Sequence, residues 1–355
     1  MRRLCVAVAA VFAMLAAIGL AQQAPGAGPY KVLKTAKVGG DGGFDYVYAD
    51  VDGRRLYIPR TGSNPRITVF NLDTLEPVGE IPSTSGHGAA VDPKSGHGFA
   101  SCSPIVMWDT KTLKTIKTID VQGSPDGILF EPKYERVWVF SHRAPNATVI
   151  NAVDGTVVGT VDLGGAPEQA VSDDMGHVFV DIEDKDRIAV VDAKNMTLTS
   201  YTNLAGKCGG PGGLAIDVQH DLLFAACHNP AVMAMASLYD SRISATLPID
   251  PGTDGATFNP ATMEAFSSQG NGTLTVIKEN GPTSFEVEQT LQTMTGGKTL
   301  TLDTKTNHIL VIAAEYTPAP APATPPPAGA PAGRGGRGGR GQMVPGSFSI
   351  LEIGR

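Results

Sequence analysis

The chain has 355 residues, with 28 Lys and Arg against 35 Asp and Glu and a net charge of −7. That acidic balance argues against general affinity for nucleic acid or anionic membrane. Its 42 Gly and 26 Pro favour many turns and short strands over helices.

Residues 1–21 read as a signal peptide. Arg2 and Arg3 precede an uncharged apolar run from Leu4 to Leu20, and the small residues Gly19 and Ala21 lie at its end, the pattern of a secretory leader. The run is Ala-rich and marginal for crossing a bilayer, and no later stretch is long and apolar enough to do so. The expectation is a periplasmic or secreted protein with no membrane span once the leader is removed. Residues 22–355 then form one domain, expected as a monomer.

A unit of about 42 residues recurs along that domain. Each copy opens with a Gly/Pro turn and a short apolar strand ending in a polar residue, followed by three more strands. Copies include Gly88-Ala-Ala-Val-Asp-Pro-Lys-Ser-Gly-His-Gly-Phe99 and Gly127-Ile-Leu-Phe-Glu-Pro-Lys-Tyr-Glu-Arg-Val-Trp138. The polar residue ending the first strand falls at Asp50, Asp92, Glu131, Ser172, Asp217, Asn259 and Asp303, in steps of 42, 39, 41, 45, 42 and 44 residues. Seven such units predict an all-β, seven-bladed β-propeller, because a lone four-stranded unit cannot bury both of its faces.

The seventh unit supplies only three strands: Thr299 to Leu302, Ile309 to Ala313 and Ser347 to Ile353. Its fourth is expected at the other end of the chain, in residues 30–38. There Lys31-Val-Leu-Lys-Thr-Ala-Lys-Val38 echoes the outer strand Thr115-Ile-Lys-Thr-Ile-Asp-Val121. Closing the last blade with the N-terminal strand shields two edges that would otherwise invite aggregation. Residues 317–345 interrupt the seventh unit with a Pro-rich and then Gly/Arg-rich insertion, a composition unable to bury a core and expected to be disordered.

The units ending in Val-Ile-Asn-Ala-Val-Asp-Gly-Thr-Val-Val-Gly-Thr-Val161 and Ala-Val-Val-Asp192 resemble the YVTN-type β-propeller repeat family, which includes YncE-like periplasmic proteins. The resemblance covers roughly residues 30–355 and implies a fold rather than a reaction. Related propellers include binding proteins, lactone hydrolases and subunits of quinoprotein dehydrogenases.

Five residues before each anchor stand Asp45, His87, Asp126, Pro167, Gly212, Asp254 and Lys298, with Glu168 taking the place of Pro167 in the shorter fourth unit. In a ring these positions meet at the mouth of the central channel. Several carboxylates there would hold Ca²⁺ or another divalent cation, and His87 could act as a general base. The same residues also serve as ordinary turn caps, so no metal or cofactor is assigned. The loops after the second strands add Arg60, His142, Arg143 and His228 as a rim, of which Arg60 and the His142-Arg143 pair could recognise carboxylate or phosphate. Cys208 and Cys227 fall at the same end of the fifth unit and predict a disulfide in an exported chain, which leaves Cys102 unpaired.

The sequence therefore reads as an exported binding or scaffold propeller whose channel face takes a small ligand, an ion or an envelope protein. A lactonase-type metal-dependent hydrolase and a non-catalytic subunit of a periplasmic redox complex are the alternatives.

Overall fold

The computed structural model describes residues 28–144, 146–318 and 341–355. The expected leader and residues 319–340 of the insertion lie outside the described residues. Seven four-stranded antiparallel sheets make up the rest. Blade one runs outward through Tyr48–Asp50, Arg55–Arg60, Arg66–Asn71 and Pro77–Pro82. Blades two to six repeat that consecutive order. In blade seven, Lys31–Lys37 lies outermost and pairs antiparallel with Ser349–Gly354, outside His308–Ala313 and Leu300–Asp303. Ser347, expected inside a strand, instead precedes it and donates its hydroxyl to the Val344 carbonyl at 2.7 Å. Among the described residues there is no α-helix, and no helix is long and apolar enough to cross a membrane.

The core is a set of seven seams, one between each pair of neighbouring blades. The alternating sides of each second strand feed two of them. In Arg136–Ser141, Val137 and Val139 pack toward blade two with Phe99 and Met107, while Trp138 and Phe140 pack toward blade four with Val178 and Val180. The seam between blades seven and one joins Leu310, Ile312 and Ile350 to Leu56 and Ile58, so the sheets close into a ring.

The recurring anchor is explained by the turn that follows it. Asp50 accepts the Gly53 amide at 2.9 Å, Asp92 that of Lys94 at 3.0 Å and Glu131 that of Tyr134 at 3.0 Å. Asp217 accepts from Gln219 at 2.9 Å, Asn259 from Ala261 at 3.0 Å and Asp303 from Lys305 at 3.1 Å. Ser172 does the same for Asp174 at 3.0 Å. A short polar side chain at this point caps the turn between the first and second strands and satisfies an amide that would otherwise be orphaned.

Both ends of the described fold are tied to blade six. Tyr30 exchanges hydrogen bonds with Gln289 through its amide (2.8 Å) and carbonyl (2.9 Å). Its hydroxyl and the Arg355 guanidinium both bond the fully buried Glu264.

One glycine is required by close packing. Gly98 faces Trp108 across adjacent strands of blade two, and a Cβ there would lie 2.2 Å from the indole. The indole is itself fully buried against Tyr57, with ring centroids 5.6 Å apart. Gly98→Ala is therefore expected to lower stability by ~1–3 kcal/mol through overpacking, read as a lower urea midpoint with an unchanged denaturant slope.

Candidate functional site

The turns leading into the innermost strands all open at one end of the channel. Around a cavity of about 760 Å³ stand Asp45, His87, Asp126, Glu168, Asp254 and Lys298, joined by His142 from the second rim. All six residues expected at the mouth therefore share one cavity.

They form a continuous chain in which acidic and basic side chains alternate. Lys298 Nζ lies 2.5 Å from Asp254 Oδ2 and 2.9 Å from Asp45 Oδ1. Asp45 Oδ2 is 2.9 Å from His87 Nδ1, which is also 3.2 Å from Asp126 Oδ1. His142 Nε2 then sits between Asp126 Oδ2 at 3.3 Å and Glu168 Oε1 at 3.1 Å. Tyr46 reaches across from blade one and donates its hydroxyl to Glu168 at 2.9 Å.

One imidazole nitrogen carries one proton. The Nδ1 of His87 bonds Asp45, and Asp126 Oδ1, buried at the centre of the chain, is left without a hydrogen-bond donor. Two imidazole–carboxylate groups result, Asp45–His87–Asp126 and Asp126–His142–Glu168, each with its donor atoms within 4.8 Å of one another. Asp126 belongs to both.

The electrostatics follow from crowding and partial burial. Desolvation, helped by the charges of Asp45 and Glu168, pushes Asp126 up to about 6. Asp254 is also raised to about 6 by desolvation, against the pull of Lys298. Desolvation pushes Asp45 in the same direction, but its hydrogen bond to His87 and the Lys298 ammonium outweigh it and hold the carboxyl low. The hydrogen bond to Glu168 lifts His142 to about 9 despite opposing desolvation. The mouth thus keeps an excess of negative charge, the condition for concentrating cations.

The other rim residues lie away from this cavity. Arg60 is fully buried: its guanidinium stacks 3.7 Å over the Phe348 ring and donates to the Gly42 carbonyl at 3.2 Å. It shares the inward side of its strand with Leu56 and Ile58 (residues i−4 and i−2), which aims it into the seam with blade seven. Desolvation and the neighbouring Arg66 bring it down to about 10. Arg143 is exposed and lies off the cavity, as does the half-buried His228. The His228 ring occupies space beside Gly212, where a Cβ would stand 3.0 Å from Nε2.

Three features had no counterpart in the sequence reading. Tyr46 and Tyr316 line the mouth. Gln169, just below it, accepts the backbone amides of Leu214 (3.0 Å) and Ala256 (2.9 Å) and donates to the Ala256 carbonyl (2.9 Å). It thereby satisfies backbone groups of blades five and six that face the channel. The described ends of the insertion also meet here, through the Tyr316–Met343 bridge and the hydrogen bond from the Thr317 amide to the Gln342 carbonyl at 2.8 Å. Tyr316 and Gly341 both line the cavity.

Cys208 and Cys227 form a disulfide with Cα atoms 5.4 Å apart. Cys102 is free and buried, and desolvation raises its thiol to about 11.

No protein-family model matches the chain, and no curated protein matches it. Solved structures do. A crystal structure of RRP9 WD40 repeats superimposes with a TM-score of 0.72 at 13% identity, covering 94% of this chain and 99% of that one. A structure of U3-55K gives 0.71 at 12% identity, with 92% and 99% covered. The chain is a seven-bladed β-propeller. Likeness at that identity carries the fold alone.

Proposed function

We propose that this propeller is an exported binding protein of the YVTN-type, YncE-like kind, whose channel mouth captures a divalent transition-metal ion as the seat of a small oxygen-donor ligand. The observation that carries the reading is Asp126, a carboxylate shared by two imidazole–carboxylate groups with Oδ1 lacking a donor. A cation supplies what that oxygen lacks. Two imidazoles interleaved with carboxylates make a mixed nitrogen and oxygen donor set, which suits Zn²⁺ or a neighbouring transition metal better than the Ca²⁺ that oxygen ligands alone would favour. The Cys208–Cys227 disulfide supports export, and the repeat motifs support the family.

A second reading, a metal-dependent hydrolase of lactonase type, gains from the placement of Lys298. The ammonium lies between Asp45 and Asp254, so its charge is compensated and does not forbid a metal beside Asp126. An ion there would leave room in the 760 Å³ cavity for a small ester to be polarised.

Titration of chelator-stripped protein with Zn²⁺ tests the first reading. Binding must expel the proton of His142, which is held up to about 9, and compete with the proton on Asp126, held up to about 6. Affinity is therefore expected to climb from pH 6 to pH 8, about tenfold per pH unit for each proton displaced. No uptake at pH 8, or uptake indifferent to pH, would remove the mouth as a metal site. Lactone turnover that appears only in metal-loaded protein would favour the hydrolase over a pure binding role.

A further inference from the structure

At the opposite end of the sheets, blades five and six bring two buried carboxylates together around one imidazole. Asp217 ends the innermost strand of blade five, His220 lies in the turn after it, and Glu279 stands near the end of the third strand of blade six. His220 Nδ1 is 2.9 Å from Asp217 Oδ2 and 2.6 Å from Glu279 Oε1. Asp217 is 2% exposed and Glu279 3%. Neither Asp217 Oδ2 nor Glu279 Oε2 has a hydrogen-bond donor.

We propose that Asp217, His220 and Glu279 form a second metal site, structural rather than channel-bound, in which one Zn²⁺-like ion clamps blade five to blade six. The three donor atoms lie within 4.8 Å of one another. A tetrahedral ion with legs near 2.1 Å needs donor separations of ~3.4 Å, so opening the present contacts by less than ~1 Å makes room for it. Water takes the fourth position on the side of His220, whose side chain is 27% exposed.

The neighbouring seam shows what a carboxylate pair here otherwise requires. Between blades six and seven, Glu264 and Glu288 also lie together, and there the Arg355 guanidinium bonds the first and stands 3.6 Å from the second. At blades five and six the basic group facing the pair among the described residues is the His220 imidazole. Asp217 and Glu279 are two acidic groups in one dry site, where like charges repel. A divalent ion relieves both the repulsion and the missing donors.

The test keeps this site apart from the channel mouth. In a His87→Ala/His142→Ala background, which dismantles the mouth, isothermal titration with Zn²⁺ at pH 7.5 is expected to retain one equivalent and a rise in melting temperature on loading. Adding His220→Ala is expected to weaken that binding more than tenfold and abolish the rise. Glu279→Gln serves as the milder variant should the alanine chain fail to melt cooperatively, because it keeps the side-chain shape and removes a charged ligand. One equivalent lost with His220→Ala but untouched by the mouth variants would uphold this site while sinking the mouth. A mouth-dismantled chain that takes up no Zn²⁺, or whose uptake ignores both His220→Ala and Glu279→Gln, would overturn the proposal.

Discussion

The Asp126→Asn variant is expected to bind Zn²⁺ at the mouth at least a hundredfold more weakly than the parent chain while remaining at least as stable in the metal-free state. The loss follows from position. Asp126 alone belongs to both imidazole–carboxylate groups, and an amide offers a neutral oxygen in place of a bridging anion. The stability expectation follows from its raised pKa. A carboxyl at about 6 in the folded chain, against 3.8 as its ordinary value, binds more protons folded than unfolded between those values. Its contribution to stability is lost as pH rises through about 6, so at pH 8 the folded state carries an ionised group it disfavours. The shift corresponds to roughly 3 kcal/mol at most. Partial exposure and the loss of contact with His142 cut the net gain on substitution to ~1 kcal/mol or less. Denaturant curves at pH 5 and pH 8 should show the variant's relative stability improving with pH. A variant that still binds Zn²⁺ as tightly as the parent would show that the ion sits elsewhere.

How much of this was legible in the sequence depends on which residues carried a periodic constraint. The anchors from Asp50 to Asp303 recur because each caps the same turn, and that regularity fixed the blade count. Five residues upstream, the turn delivers its side chain to the mouth irrespective of type, so Asp45, His87, Asp126, Asp254 and Lys298 share one cavity. In blade four the shorter unit shifts the position by one, to Glu168. The second rim was less legible because side-chain direction at a strand end depends on parity. Arg60 still belongs to its strand and continues the buried side of Leu56 and Ile58, whereas His142 comes one residue after Ser141 ends its strand and turns into the mouth. Counting alternate residues back from Arg60 would have predicted its burial from sequence. Nothing local marked Tyr46 or Gln169. Their partners, Glu168 and the backbone of Leu214 and Ala256, are 122, 45 and 87 residues away, and only ring closure brings them within reach.

Lys298→Met is expected to move stability and metal affinity in opposite directions, an outcome that ordinary loosening of the fold does not produce. The ammonium sits between Asp45 and Asp254 with its own side chain 21% exposed. Removing it strands two neighbouring carboxylates, and breaking a largely buried pair of this kind costs ~2–3 kcal/mol once residual solvent screening is allowed for. That cost depends on pH with a definite sign. Asp254 already lies at about 6 in the folded chain, above its ordinary 3.8, and rises further without its cation. Its stabilising share is lost as pH rises through the folded value. The parent and variant should therefore melt at similar temperatures near pH 5 and separate progressively toward pH 8. Over the same range the mouth has lost the positive charge of the Lys298 ammonium. A unit charge acting on a divalent ion over ~6 Å at a water-like dielectric is worth ~1.4 kcal/mol, or about a tenfold change in affinity, so Zn²⁺ should bind the less stable variant more tightly. If affinity instead falls in step with stability, the ion does not feel the charge at Lys298, and the ring from Asp254 to Glu168 holds the mouth together without serving as its binding site.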